Sequence, residues 1–163
     1  MTPNRMHRRR RPGRKAELNT VARFFIDRPI FAMVIAIVTV ILGIGGIEKS
    51  IEHAMDTASL LTEMDPDYVG ALTLMLVPQT EMYEDYLAGR FVLPDKIGFI
   101  RELYLMIANA NFTNCYFTSN HASNYLPIKA RLPGQKEKIL KMMRAVIEEN
   151  DVTRLRPEFL RGL

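Results

Sequence analysis

The sequence has no tryptophan, one cysteine and three histidines in 163 residues. A lone thiol, Cys115, excludes an intramolecular disulfide framework. By itself it supplies neither a tetrahedral thiolate centre nor the three thiolates of an iron–sulfur cluster. No HExxH, CxxC, GxSxG or paired-carboxylate pattern is present. The chain is too short for a complete eight-stranded barrel enzyme. Disorder throughout and a polytopic membrane protein are excluded as well, because apolar residues make up 48% and charged residues 25%, close to a globular average.

What charge there is lies unevenly. Residues 1 to 28 carry nine Lys/Arg against Glu17 and Asp27, a net +7, which leaves thirteen basic and sixteen acidic groups elsewhere, a net −3. The segment 2–20 (TPNRMHRRRRPGRKAELNT) has Arg8 to Arg11, Arg14, Lys15, two prolines and no apolar cluster. Nothing in it offsets the entropy of ordering, so the expectation for 1–20 is a disordered basic tail. Such a tail is read as simply solvated, as a cytoplasmic topology signal beside a membrane segment, or as a nucleic-acid arm. No aromatic residue interleaves with the arginines, so bases find no stacking platform and nucleic acid ranks last.

Ile30 to Ile47 (IFAMVIAIVTVILGIGGI) is uncharged over eighteen residues, the short end of the membrane-spanning range. Its basic flank would hold the amino terminus in the cytoplasm. A cleaved secretory signal fits poorly, since no small-x-small site precedes a polar start. A second reading competes: Val38 to Leu42, followed by Gly43, Gly45 and Gly46, equally describes a buried parallel strand entering a glycine turn. Periodicity does not separate the two.

Beyond this run the pattern is that of an α/β protein. Ser50 is expected to cap a helix with Ile51, Ala54, Met55, Ala58 and Leu61 inward, closed by Asp65-Pro66. Tyr68 to Val77 reads as a strand covered on both faces, which completes a βαβ unit. Gln79 to Ala88 predicts a short helix ending at Gly89. Asp95 predicts the cap of a helix over Lys96 to Asn109, with Ile97, Ile100, Leu103, Leu105 and Ile107 inward. Residues 111–127 suggest a short strand at Cys115 to Phe117 and an irregular polar loop. Gln135 to Glu149 predicts a terminal helix, and LRPEFLRGL an extended tail.

Two clusters stand out as candidate binding groups. In the turn Gly43 to Glu48, glycines admit a ligand to the backbone and a helix start offers N–H groups, although a ligand-free tight turn has the same spacing. It is neither a Walker loop nor a GxGxxG fingerprint. On the polar loop, Asn120, His121, Ser123 and Asn124 stand together, a placement typical of substrate-binding side chains. His121 has two readings, general acid or base and hydrogen-bonded structural histidine. His53 is expected at the surface or beside Glu52 and Asp56, and Cys115 as a small buried residue.

Two resemblances attach to quotable stretches. Ala22 to Val40 (ARFFIDRPIFAMVIAIVTV) resembles the first transmembrane segment of resistance-nodulation-division efflux transporters. From about Val40 to Leu163, the blocks VILGIGGIE, EHA..TA..L..MDPDYV, LTLMLVP, YEDYLAGRFVLPD and TNCYFTSNHASNYLPIKARLP resemble the carboxy-terminal part of radical S-adenosylmethionine (SAM) iron–sulfur oxidoreductases. That resemblance implies a partial (β/α) barrel with a helical carboxy-terminal region. It also implies SAM and a [4Fe–4S] cluster as family cofactors, with Gly43, Gly45, Gly46 and Glu48 beside the SAM adenosine. The family's three-cysteine motif has no counterpart here, so neither cofactor is expected to bind stably to this chain alone, and no catalytic or metal-ligating residue is assigned. Gln79 and Glu81 replace the Gly and Pro of the family's Val-Pro-Gly-Thr-Pro turn, and Gly134 and Gln135 its charged pair before Lys136.

The expected organisation is therefore a basic tail (1–20), an apolar transmembrane-like segment merging into a strand and glycine turn (21–47), and an α/β fragment (48–163). The leading function is a piece of a radical SAM oxidoreductase, inactive alone and from a fused or truncated reading frame; a separate reading is a catalytic subunit completed in trans by the missing amino-terminal half. The alternative is a single-pass inner-membrane protein, amino terminus in the cytoplasm, with a small non-catalytic α/β domain. A cytoplasmic location belongs to the strand reading of the apolar run.

Overall fold

The computed structural model describes residues 37–162; the basic tail and the apolar stretch up to residue 36 lie outside the described residues. Ile37–Leu42 forms β1, a strand whose first five residues, Ile37 to Ile41, are all β-branched and so favour an extended backbone. The described part of the apolar run thus follows the strand reading. Among the described residues no helix is long and apolar enough to cross a membrane.

After β1 come α1 (Ser50–Met64), β2 (Tyr68–Thr73), α2 (Glu81–Leu87), α3 (Lys96–Asn109), β3 (Cys115–Thr118), β4 (Lys129–Leu132) and α4 (Lys136–Glu148), then two short 3-10 turns, Val152–Arg154 and Glu158–Leu160. The sheet order is β1-β2-β3-β4. β1 pairs parallel with β2, from Ile37 opposite Tyr68 to Leu42 opposite Thr73; β2 pairs parallel with β3, and β4 closes antiparallel on β3. The result is a mixed α/β domain with an open four-stranded sheet, and no barrel closes among the described residues.

One sheet face carries the core. Val40, Leu42, Val69, Ala71, Phe117 and Leu132 are buried with Ala54, Ala58 and Leu61 of α1, Ile100, Leu103 and Met106 of α3, and Met143 and Val146 of α4. Each large side chain so buried contributes roughly 1.5–3 kcal/mol. Strand residues alternate in direction. The opposite positions, among them Thr39, Ile41, Tyr68, Leu72, Tyr116 and Arg131, are half-buried or exposed.

Several expectations need correction. Ser50 is the first helical residue rather than the cap: Lys49 holds the cap position, and the Ser50 hydroxyl bonds elsewhere. Ile51 and Met55, expected inward, are exposed, because the buried stripe runs along Ala54, Ala58 and Leu61. β2 stops at Thr73 instead of Val77, since β1 ends opposite it in the glycine turn and the Thr73 amide turns to Ser123. The terminal residues carry a 3-10 turn, Glu158–Leu160, and dock on the 121–125 loop. By contrast α3 begins and ends as its sequence implies, with the Asp95 carboxylate accepting from the Gly98 amide at 2.6 Å.

Candidate functional site

The loops following the three parallel strands, residues 43–49, 74–80 and 119–128, all leave from the carboxyl ends of those strands. Crevices at this edge of α/β sheets are where ligands bind. The fold therefore brings the glycine turn and the polar loop to the same edge, with Phe99 between them: a Cβ on Gly43 would stand 2.2 Å from the Phe99 ring, whose centroid lies 5.7 Å from that of Tyr125.

The glycines of the turn are required by packing. Gly43 and Gly46 have φ of +83° and +62°, and the space beside Gly46 is taken by the Val92 carbonyl and the Phe91 ring. Gly45 lies against Lys49. The amides of Gly46, Ile47 and Lys49 bond the carbonyls of Gly43, Val92 and Gly45. Those of Ile44, Gly45 and Glu48 have no acceptor among the described residues, and Glu48 is exposed.

Beneath the turn lies a group that the sequence reading missed. Glu102 of α3 is 1% exposed. Its carboxylate accepts from the Gly43 amide (2.9 Å) and the Ser50 hydroxyl (2.6 Å), and lies 2.9 Å from His53 Nδ1. This places His53 on a carboxylate of another helix instead of its own neighbours Glu52 and Asp56. Ser50 and His53 both address Glu102 and not each other, so the trio clamps the turn to α3 and does not relay a proton to a nucleophile. A signal was present: Glu102 falls between Phe99 and Met106 on the apolar stripe of its helix. Beside the clamp, Ile47, Ser50, Asp95, Arg101 and Glu102 help line a cavity of about 460 Å³.

On the polar loop the four candidate residues divide. Ser123 and Asn124 are buried: Ser123 Oγ accepts from the Thr73 amide, and Asn124 bonds the Thr73 hydroxyl and donates to the Ala71 carbonyl. Both therefore fasten the loop to β2. Asn120 and His121 are exposed, and His121 Nδ1 lies 3.0 Å from Ser123 Oγ. The carboxy-terminal strap, residues 155–162, then covers this loop. The Arg156 guanidinium donates to the carbonyls of His121, Ala122 and Asn124. Arg161 donates to the carbonyls of Ser123 and Leu74 and to the Tyr125 hydroxyl.

Burial pushes the Tyr125 phenol up to about 12, helped by its hydrogen bond to Glu158. Burial opposes ionisation of Glu158 as well, yet hydrogen bonds from Tyr125 and Arg161 outweigh it and hold the carboxyl below its usual value. Cys115 is buried in the strand, and desolvation pushes its thiol up to about 11. A buried, protonated thiol without companions does not fit a [4Fe–4S] cluster, and no group of three or more metal-binding side chains exists among the described residues. No protein-family model, no curated protein and no solved structure matches this chain.

Proposed function

We propose that residues 40–163 are the carboxy-terminal part of a radical SAM oxidoreductase barrel, unable to generate a radical alone and completed by a separate chain bearing the cluster cysteines. The observation that carries this reading is the one-sided sheet. Three parallel strands in sequential order bury one face under helices and leave the other face, with the outer edge of β1, unpaired by any described residue. A partial (β/α) barrel has this form, its inner face and first edge waiting for the missing strands.

A second observation agrees with the resemblance. Gln79 follows Pro78 at φ +68°, the left-handed position at which the related Val-Pro-Gly-Thr-Pro turn has its glycine. In the completed barrel Gly43, Gly45, Gly46 and Glu48 would border the SAM adenosine, through the free amides of the turn and the Glu48 carboxylate. Asn120 and His121 would face substrate, and Ser123 and Asn124 would hold that loop in place. The cluster belongs to the partner, because the single thiol here is unsuited to it.

The test is anaerobic reconstitution of the purified full chain with iron and sulfide. Alone it is expected to stay colourless and leave SAM intact; co-expressed with an amino-terminal half carrying the three-cysteine motif, it should co-purify as a brown complex that cleaves SAM. Stoichiometric cluster and SAM cleavage by the lone chain would overturn the proposal.

A further inference from the structure

The carboxy-terminal strap is held more by polar than by apolar side chains. Two of its apolar side chains are turned to the outside, Phe159 being 83% and Leu160 58% exposed, while the side chain of Arg161 is only 5% exposed. Leu155 is buried and anchors the start of the strap. Beyond it, attachment rests on polar contacts: the two guanidinium groups, the Arg156 amide on the Tyr125 carbonyl and the Tyr125 hydroxyl on the Glu158 carboxylate.

The groups in contact with the Arg161 guanidinium are acceptors and one aromatic ring, the Tyr125 ring, whose centroid also lies 5.6 Å from the Lys96 ammonium. Nε donates to the Ser123 carbonyl at 2.7 Å, Nη2 to the Leu74 carbonyl at 3.2 Å and Nη1 to the Tyr125 hydroxyl, while the Tyr125 ring lies 4.1 Å from the guanidinium carbon. Glu158, on the strap itself, completes the shell at 2.7 Å from Nη1. The body of the protein thus presents two carbonyls from two different loops, one phenol oxygen and one aromatic face. A planar fork of five donors satisfies these together. An ammonium is a compact charge that reaches the ring but not all three oxygens, and an anion would meet only carbonyl dipoles.

We propose that this crevice, at the carboxyl ends of β2 and β3, is a binding site for a guanidinium group on an alkyl stem, and that Arg161 is its resident occupant. A guanidinium from outside enters when the strap lifts. Displacement is favoured by the way the strap is held, because little apolar surface has to be re-exposed when it leaves. The inference requires neither the cluster nor the missing strands, so it stands or falls apart from the barrel reading.

The test uses the full chain with Arg161→Ala, which empties the crevice and leaves Arg156 in place. Ethylguanidinium near saturation is expected to raise the unfolding temperature of this variant by about 2–6 °C, with ethylammonium ineffective and the unsubstituted chain unchanged. Equal shifts in both proteins, or none in the variant, would overturn the proposal. Should the variant fail to fold, hydrogen exchange in the unsubstituted chain decides. The amides of Leu160 and Arg161, bonded to the Pro157 and Glu158 carbonyls, should exchange several-fold faster when arginine is added. Unchanged exchange rates would refute the site. A larger effect of Nα-acetyl-arginine methylamide than of free arginine identifies a polypeptide-borne ligand, and the reverse a free amino acid.

Discussion

Glu102 and Gly43 show how a single buried contact organises the candidate site. The carboxylate has three partners and no water-facing side, so its removal leaves a backbone amide and a hydroxyl without an acceptor and the His53 ring without its partner. Glu102→Ala is expected to cost about 3 kcal/mol in urea unfolding, whereas Glu102→Gln, which keeps one acceptor oxygen, should cost about 1 kcal/mol. Equal losses would mean that volume rather than hydrogen bonding matters there. Gly43→Ala suffers twice, from a Cβ placed 2.2 Å from Phe99 and from a left-handed φ. The expected loss is about 3 kcal/mol, with only the steric part, about 1–2 kcal/mol, recovered in the double variant with Phe99→Leu. The opposite sign applies at Gln79, where φ is +68°: Gln79→Gly should stabilise by about 1 kcal/mol, measurable as a raised urea midpoint.

At the scale of elements, the strap and the loop beneath it form a pH-sensitive pair. Glu158 has a depressed folded pKa, so its contribution is present above the carboxyl's ordinary range and is lost as pH falls through the folded value. Tyr125 is raised to about 12 from 10, so its neutral form supports docking below pH 10 and that support is lost as pH rises toward 12. Strap docking, followed by exchange at Arg161 or by an environment-sensitive label at Phe159, should therefore weaken at both extremes. Loss at only the acid end would mean that the phenol is not part of the latch.

What was legible in the sequence also divides at this scale. The α3 helix was readable because its cap and apolar repeat are local: Asp95 bonds the amide three residues on. The start of α1 was not, since the Ser50 hydroxyl that marks a cap locally is taken by a carboxylate 52 residues away. β4 escaped notice because Lys129–Leu132 alternates polar and apolar over only four residues, too few to register as a strand. The glycine turn and the polar loop were found from composition. Their meeting through Phe99, and the strap that closes over one of them, depend on contacts between distant parts of the chain.

For the molecule as a whole, the decisive feature is the asymmetry between the two faces of the sheet. Thr39 and Ile41 alternate with Val40 and Leu42 along β1, so neighbouring residues of one strand test opposite environments. Among the described residues the open face mixes Ile41, Leu72 and two tyrosines with Thr39, Lys129 and Arg131, and β1 has no neighbour on its outer edge, a surface on which strands from other molecules assemble. The full chain without a partner should accordingly show a sedimentation coefficient that rises with protein concentration. Ile41→Lys places a charge on the open face beside the edge, which discourages strand addition while removing little buried contact. It should suppress the concentration dependence and leave the unfolding temperature within about 2 °C. Val40→Lys, one residue earlier, sets the same charge in the core and should unfold the domain, because a buried ammonium without a partner costs several kcal/mol. If both lysines are tolerated alike, or if the unsubstituted chain remains monomeric at every concentration, the open face is already satisfied and no missing half is needed to cover it.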